Sequence, residues 1–128
     1  AIKKADFISF HLPAVDKPIL GANEITLLKP NCVILNTSRG GIIDDKALAQ
    51  ALRENRILGA GIDVFEEEPL KPNNVYSNLD NVILTPHSAG MAYESAERMA
   101  LSSVQNVLNF FNEKLDYSLV VNKNDIRL

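Results

Sequence analysis

The segment KPNCVILNTSRGGIID, residues 29–44, holds a nearly continuous apolar run, Cys32–Asn36, followed by polar residues and two glycines. The run has the length of one β-strand, and such apolar strands are typical of parallel sheets covered on both faces. Downstream, residues 45–54 repeat alanine and leucine at helical spacing, with Asp44 or Asp45 as the helix N-cap. A strand followed by such a helix indicates a βαβ unit.

Three further runs extend this pattern: Phe7–Phe10, Gly59–Val64 and Val82–Thr85 each have the length of a strand. A short helix is predicted over Glu24–Leu28, ended by Pro30, and a long one over Tyr93 to Asn112. The predicted fold is α/β: the second half of a doubly wound (Rossmann-like) parallel sheet, followed by a long C-terminal helix. Leu119–Val121 could add an edge strand or dock elsewhere.

Composition narrows the functional classes. The chain has 128 residues, about one domain, and a net charge of −3, which argues against a nucleic-acid partner. No apolar run has the length of a membrane helix, and no Cys/His spacing suggests a metal site. The single cysteine, Cys32, lies in an apolar strand and is interpreted as a buried thiol. We therefore expect a reducing, cytoplasmic setting.

The phosphate-binding turn of dinucleotide-binding domains, G-x-G-x-x-G, is absent from the sequence. Gly59 and Gly61 lie inside a strand-like run, so we interpret them as sites of close backbone packing. The chain also begins with what looks like the end of a helix entering a strand. We therefore predict that the chain is the second half of a larger domain.

Polar residues follow each predicted strand, at the edge where parallel sheets bind ligands. The residues with the clearest chemistry there are Arg39, Glu68 and His87. A guanidinium can hold a carboxylate at two points, and an imidazole beside a carboxylate can give or take a proton. This set suits the interconversion of 2-hydroxy and 2-oxo acids with a hydride-carrying cofactor. The alternative is a solvated rim in which His87 is an ordinary loop histidine.

Four ordered motifs carry a resemblance to a known family: residues 5–13, residues 29–44, residues 59–69 and residues 81–87. Over about residues 2 to 122 the chain resembles the D-isomer-specific 2-hydroxyacid dehydrogenases. The turn after His87 and the following helix look more like phosphoglycerate dehydrogenase-type members than D-lactate types. The resemblance implies that residues 1–112 are the C-terminal part of an NAD-binding domain, and that 113–128 is a tail returning to the substrate domain.

The resemblance also implies roles for individual residues. Arg39 would bind the substrate carboxylate, His87 would exchange the proton, and Glu68 would keep His87 protonated. Glu66 and Glu67 match no catalytic position, and we interpret them as solvated residues. The implied cofactor is NAD, and its nicotinamide half would be contacted by ten residues: His11, Pro13, Thr37, Ser38, Arg39, Asp63, His87, Ser88, Ala89 and Gly90.

Members of this family are more than twice as long as this chain, so two interpretations stay open. The chain is either a fragment of an active NAD-dependent dehydrogenase, itself inactive alone, or a truncated remnant with the fold but neither cofactor binding nor turnover. An open sheet edge predicts a homo-oligomer or association with the missing N-terminal half. The substrate would be a small 2-hydroxy or 2-oxo acid. The family also places a helix-capping threonine in many members where this chain has Ala92.

Overall fold

The computed structural model describes residues 1–125 and divides the chain into two compact units. The first is Ala1–Ala89, and the second begins at Gly90. The first unit holds every strand in the described part of the chain, and the second holds the long helix.

The first unit is built on a four-stranded parallel sheet. After a 3-10 turn at Ile2–Lys4, the strands are β1 (Phe7–Phe10), β2 (Val33–Asn36), β3 (Gly59–Ile62) and β4 (Val82–Leu84). They lie side by side in chain order, with Phe10 opposite Asn36 and Asn36 opposite Ile62. All four predicted strands are confirmed, and their carboxyl ends share one edge of the sheet.

Two helices accompany the sheet: α1 (Ala22–Ile25) and α2 (Asp45–Arg53). Asp44 is the N-cap of α2, because its carboxylate accepts a hydrogen bond of 3.0 Å from the amide of Ala47. This contact decides between the two predicted caps. The helix α1 is shorter than expected and begins two residues earlier than Glu24.

The core of the first unit lies between α1 and α2 and one face of the sheet. Ile34 and Ile62 on that face are buried together with Leu48 and Leu52 of α2. The opposite face carries exposed apolar residues, among them Phe7 at 70% and Ile83 at 73% exposure. Within the first unit, α1 and α2 thus lie on one face of the sheet, as expected for the second half of a doubly wound sheet. Strands added in one direction with crossovers of one hand carry their helices on the same side.

Close packing explains the two glycines of β3. A Cβ on Gly61 would lie 2.9 Å from Cδ2 of Leu35, and one on Gly59 would lie 3.0 Å from the carbonyl oxygen of Asn81. This confirms their interpretation as packing positions. The Cys32 side chain is fully buried, as expected.

The second unit consists of α3 (Tyr93–Phe111) and a 3-10 helix at Tyr117–Leu119. The predicted long helix is confirmed, and its N-cap Ala92 makes no side-chain capping bond. Residues 119–121 form no strand, so that alternative is wrong: the chain there turns through the 3-10 helix. The rest of the predicted tail, residues 126–128, lies outside the described residues. No helix within residues 1–125 is long and apolar enough to cross a membrane.

Candidate active site

Three loops at the carboxyl edge of the sheet surround a cleft of about 470 Å³ in the first unit. The loop after β2 contributes Arg39, the loop after β3 contributes Glu68, and the loop after β4 contributes His87. These three residues, which follow successive strands in the sequence, lie on the same cleft because parallel strands end on one side of the sheet. A second cleft, of about 580 Å³, shares Glu68 and His87 and extends over Leu70, Leu84 and Pro86.

Asn36 shapes the loop that carries Arg39. Its buried side-chain amide donates to the carbonyl of Arg39 at 2.9 Å. Its side-chain oxygen accepts from the amide and from the hydroxyl of Ser38, at 3.2 and 2.9 Å. A buried polar side chain needs such partners, and here they turn the chain at the end of β2. The Arg39 side chain is exposed, and its Nη1 donates to the carbonyl of Ser38 at 2.6 Å.

Gly40 lets two of these loops approach each other closely. A Cβ at this position would lie 1.9 Å from the carbonyl oxygen of Phe65 and 2.8 Å from the amide nitrogen of Glu66. Both are backbone atoms that cannot turn aside as a side chain can. The absence of a side chain at Gly40 therefore permits the Arg39 loop to lie directly on the loop that leads to Glu68.

Glu68 joins its own loop to His87. One carboxylate oxygen accepts a hydrogen bond from the Phe65 amide at 2.9 Å, and the other lies 2.8 Å from Nδ1 of His87. The hydrogen bonds from His87 and then from Phe65 hold the pKa of Glu68 below its ordinary value. Because a carboxylate only accepts, Nδ1 carries a hydrogen in this pair. Nε2 is the ring nitrogen left for a ligand.

Replacing Glu68 with glutamine should make the free energy of unfolding depend less on pH in the acid range. The lowered pKa of Glu68 stabilises the fold at neutral pH, and this stabilisation is lost as pH falls through the folded pKa. We expect the free energy of unfolding to fall less for Glu68→Gln than for the parent between about pH 5 and pH 3. Urea unfolding across that range measures the difference.

Glu67→Gln is the matched control for this comparison. It removes the same charge one residue away, where the carboxylate pairs with Lys71 and both side chains are well exposed. A Glu68→Gln profile that coincides with the parent profile would contradict the proposed coupling of Glu68 to His87.

The turn that carries His87 rests on Asp63. This carboxylate, at the end of β3, is buried and accepts hydrogen bonds from the Thr85 hydroxyl and from the amides of Ser88 and Ala89. Burial alone would raise the pKa of Asp63, but these bonds together hold it below its ordinary value. His87 itself has φ +53°, in the left-handed region that non-glycine residues seldom occupy.

A buried tyrosine connects the Glu68 loop to the start of α2. The hydroxyl of Tyr76 donates to Asp45 at 2.7 Å, and its ring packs edge-to-face on Phe65. Burial raises the pKa of both side chains, and the Asp45 charge raises that of Tyr76 further. The ring contact holds Phe65 in place. The backbone amide of Phe65 in turn donates the hydrogen bond to Glu68.

Nine of the ten residues predicted to contact nicotinamide lie at this edge of the first unit, and all nine except Asp63 have an exposed or half-exposed side chain. His11 and Pro13 follow β1, and the His11 ring is hydrogen-bonded to Ser9 at 2.8 Å. Thr37 and Ala89 are exposed, whereas Asp63 is buried and Gly90 belongs to the second unit. Carbonyl, amide and hydroxyl groups at an open edge fit a flat ring that carries a carboxamide. The G-x-G-x-x-G turn, which binds the pyrophosphate in dinucleotide-binding domains, does not occur in this sequence.

The structure adds functional positions that sequence reasoning missed, namely Asn36, Gly40, Asp45, Tyr76 and Thr85. Asn36 and Thr85 left a signal in the sequence, since each is a polar residue at the end of an apolar run. Glu66 and Glu67 are exposed, in keeping with their interpretation as solvated residues. No cluster of three or more potential metal ligands occurs within the described residues.

Comparison with known proteins gives this arrangement a family. Residues 1–89, the whole first unit, match the family described as D-isomer specific 2-hydroxyacid dehydrogenase, NAD binding domain. A glyoxylate reductase from Aeropyrum pernix is 40% identical over 121 residues, which are 93% of this chain and 36% of that protein. A D-3-phosphoglycerate dehydrogenase from Methanocaldococcus jannaschii is 50% identical over 100 residues, 77% of this chain and 19% of that protein.

The fold agrees with these matches. The TT0316 protein from Thermus thermophilus superimposes with a TM-score of 0.84 at 34% identity, covering 89% of this chain and 37% of that one. The chain thus spans about a third or less of the length of the relatives it matches. The chain belongs to the D-isomer-specific 2-hydroxyacid dehydrogenases, a family of NAD-binding oxidoreductases.

Proposed function

We propose that this chain forms the nicotinamide and substrate side of the active site of a D-2-hydroxyacid dehydrogenase. The observation that carries the proposal is the hydrogen bond between Glu68 and His87, 2.8 Å long, at a cleft also lined by Arg39. A surface ion pair would need no guanidinium on the same cleft. A dehydrogenase acting on 2-oxo acids needs both groups.

In this proposal the Arg39 guanidinium binds the carboxylate of a 2-oxo acid through two parallel hydrogen bonds. A bound nicotinamide cofactor would supply the hydride for the substrate carbonyl carbon. Nε2 of His87 gives a proton to the carbonyl oxygen, and Glu68 stabilises the positive charge of the ring before that transfer. In the reverse direction the same nitrogen accepts the proton of the 2-hydroxy acid. His87 thus acts as acid in reduction and as base in oxidation.

The nicotinamide contacts remain those predicted from the sequence, and we propose them as a set: His11, Pro13, Thr37, Ser38, Arg39, Asp63, His87, Ser88, Ala89 and Gly90. The substrate class is a small 2-hydroxy or 2-oxo acid, of the glyoxylate or 3-phosphoglycerate type. Assembly with an N-terminal half or with a second copy, and a cytoplasmic setting, stay predictions.

Titration of NADH into the 128-residue chain, followed by fluorescence, separates this proposal from its alternative. Saturable binding with a micromolar Kd, followed by a further change on adding glyoxylate, supports a nicotinamide site. An absence of binding favours the alternative, a remnant that keeps the fold but neither binds the cofactor nor turns over.

Turnover is tested in a hybrid enzyme. It is the Aeropyrum pernix glyoxylate reductase with its matching 121-residue segment replaced by the corresponding residues of this chain. Circular dichroism confirms that the hybrid folds, and the unchanged relative provides the reference rate. Glyoxylate-dependent oxidation of NADH by the folded hybrid shows that the residues of this chain support the chemistry.

Replacing Arg39 with lysine in the hybrid enzyme should raise the KM for glyoxylate by about tenfold to a hundredfold. An ammonium lacks the planar fork that holds a carboxylate at two points, although the positive charge remains. Steady-state kinetics at saturating NADH measure this effect. The matched control is Arg56→Lys, whose guanidinium pairs with Glu54 on the surface. Equal KM values for the Arg39→Lys and Arg56→Lys hybrids would disprove carboxylate binding by Arg39.

A further inference from the structure

We propose that Asp63 is a positioning residue, which binds the Thr85 hydroxyl before His87 and two backbone amides after it, and thereby sets the imidazole against Glu68. The inference rests on the proposed role of His87 and adds the group that aims its ring. Apart from Tyr76, whose hydroxyl binds Asp45, Asp63 and Asn36 are the buried residues of polar type in the described part of the chain. The hydrogen bonds of Asn36 shape the loop that carries Arg39. The hydrogen bonds of Asp63 have a different structural role.

The hydrogen bonds of Asp63 bracket His87. Oδ1 accepts from the Thr85 hydroxyl, two residues before the histidine, and from the Ser88 amide at 2.9 Å. Oδ2 accepts from the Ala89 amide, also at 2.9 Å. No side-chain atom of His87 takes part in these bonds. The carboxylate therefore acts on the course of the chain through residue 87.

The conformation of His87 needs such support. Its φ of +53° is rarely adopted by a residue with a Cβ and persists only where the surroundings determine it. Its amide donates to the carbonyl of Thr85 at 3.1 Å, which closes a tight turn. Relaxation of φ toward negative values would swing the side chain out of the turn. The bond of 2.8 Å to Glu68 would then be lost.

The charge of Asp63 matters as much as its shape. Ionised carboxylate oxygens are acceptors only, and all three partners here are donors. An asparagine at this position would present an amide hydrogen toward at least one of these donors. One of the three donors would then lose its partner on the buried side chain at position 63, which costs stability.

A nicotinamide contact by Asp63 is also part of the proposed function, so the two roles must be separated. The Thr85 hydroxyl serves this purpose, because it bonds Asp63 and is outside the proposed nicotinamide set. Thr85→Val removes one bond from Asp63 while keeping the carboxylate charge. Thr85→Ser restores the hydroxyl. Thr26→Val is the matched control, since the Thr26 hydroxyl bonds only the Asn23 carbonyl in α1.

The test is NMR on the complete chain without cofactor. We expect Thr85→Val to speed amide hydrogen exchange at Ser88 and Ala89 by about tenfold or more relative to Ala60 in β3. The same variant should move the titration midpoint of the Glu68 carboxyl upward, because the His87 hydrogen bond lowers the pKa of Glu68. Thr85→Ser and Thr26→Val should match the parent in both measurements.

Asp63→Asn should give the larger effect on exchange at the two amides. If that variant does not fold, the two Thr85 variants still decide the question. Unchanged relative exchange at Ser88 and Ala89 in Thr85→Val, or an unmoved Glu68 midpoint, would overturn the proposal. Neither measurement involves NADH or turnover. A failure of the positioning role is therefore distinct from a failure of the dehydrogenase proposal, which the hybrid enzyme tests.

Discussion

Substitution of His87 by alanine in the hybrid enzyme is expected to lower kcat for glyoxylate reduction by about 10²–10⁴-fold. The variant lacks the group that gives a proton to the developing alkoxide, and water would have to replace it. Arg39 and the nicotinamide contacts from the other strands remain, so NADH binding should change little. The loss of NADH absorbance measures kcat, and a fluorescence titration measures the Kd for NADH.

The second histidine of the chain provides the comparison. His11 lies after β1 and hydrogen-bonds to Ser9, away from the Glu68 carboxylate. His11→Ala should alter the KM for NADH and leave kcat close to that of the unsubstituted hybrid. A His87→Ala hybrid that keeps its full kcat would mean that another group moves the proton.

Substitution of Gly40 by alanine should cost the chain about 3 kcal/mol or more of stability. The new Cβ would lie 1.9 Å from the Phe65 carbonyl oxygen, so one of the two loops has to move. Such a shift separates the Arg39 loop from the loop that holds Glu68. We therefore expect a lower unfolding midpoint in urea and, in the hybrid enzyme, a loss of glyoxylate binding.

The neighbouring glycine isolates the cause. Gly41 has φ +77° but open space around its missing Cβ, so Gly41→Ala strains the backbone without a collision. That change should cost about 1 kcal/mol. If the two alanine variants had equal stability, the close approach at Gly40 would be no obstacle and its proposed importance would be refuted.

The sheet could be predicted from the sequence because each strand is a short apolar run that ends in polar residues. The helix α2 could also be predicted from the sequence, since its leucines and alanines recur at helical spacing after an aspartate cap. Arg39, Glu68 and His87 could be predicted as site residues, because residues that directly follow successive parallel strands lie at the same edge of the sheet. Convergence of this kind follows from topology and needs no knowledge of side-chain packing.

The supporting contacts could not be predicted in the same way. Tyr76 lies in a loop without periodicity, and its partner Asp45 is 31 residues away. The collision that forbids a side chain at Gly40 involves backbone atoms of another loop, which no local pattern shows. The exposure of Phe7 and Ile83 is not evident from the sequence, because an apolar strand has the same pattern whether one face of its sheet is covered or both. Long-range packing decided each of these features.

The fully buried Cys32 provides a natural labelling site for following the unfolding of the chain. It is the single thiol in the sequence, and burial raises its pKa, so the reactive thiolate is scarce while β2 is in place. A thiol reagent can therefore modify the chain only when the structure around the start of β2 opens. Mass spectrometry after timed labelling would count those openings from one added mass per molecule. The stability of the first unit can thus be monitored without an introduced dye, a cofactor or an assay of turnover.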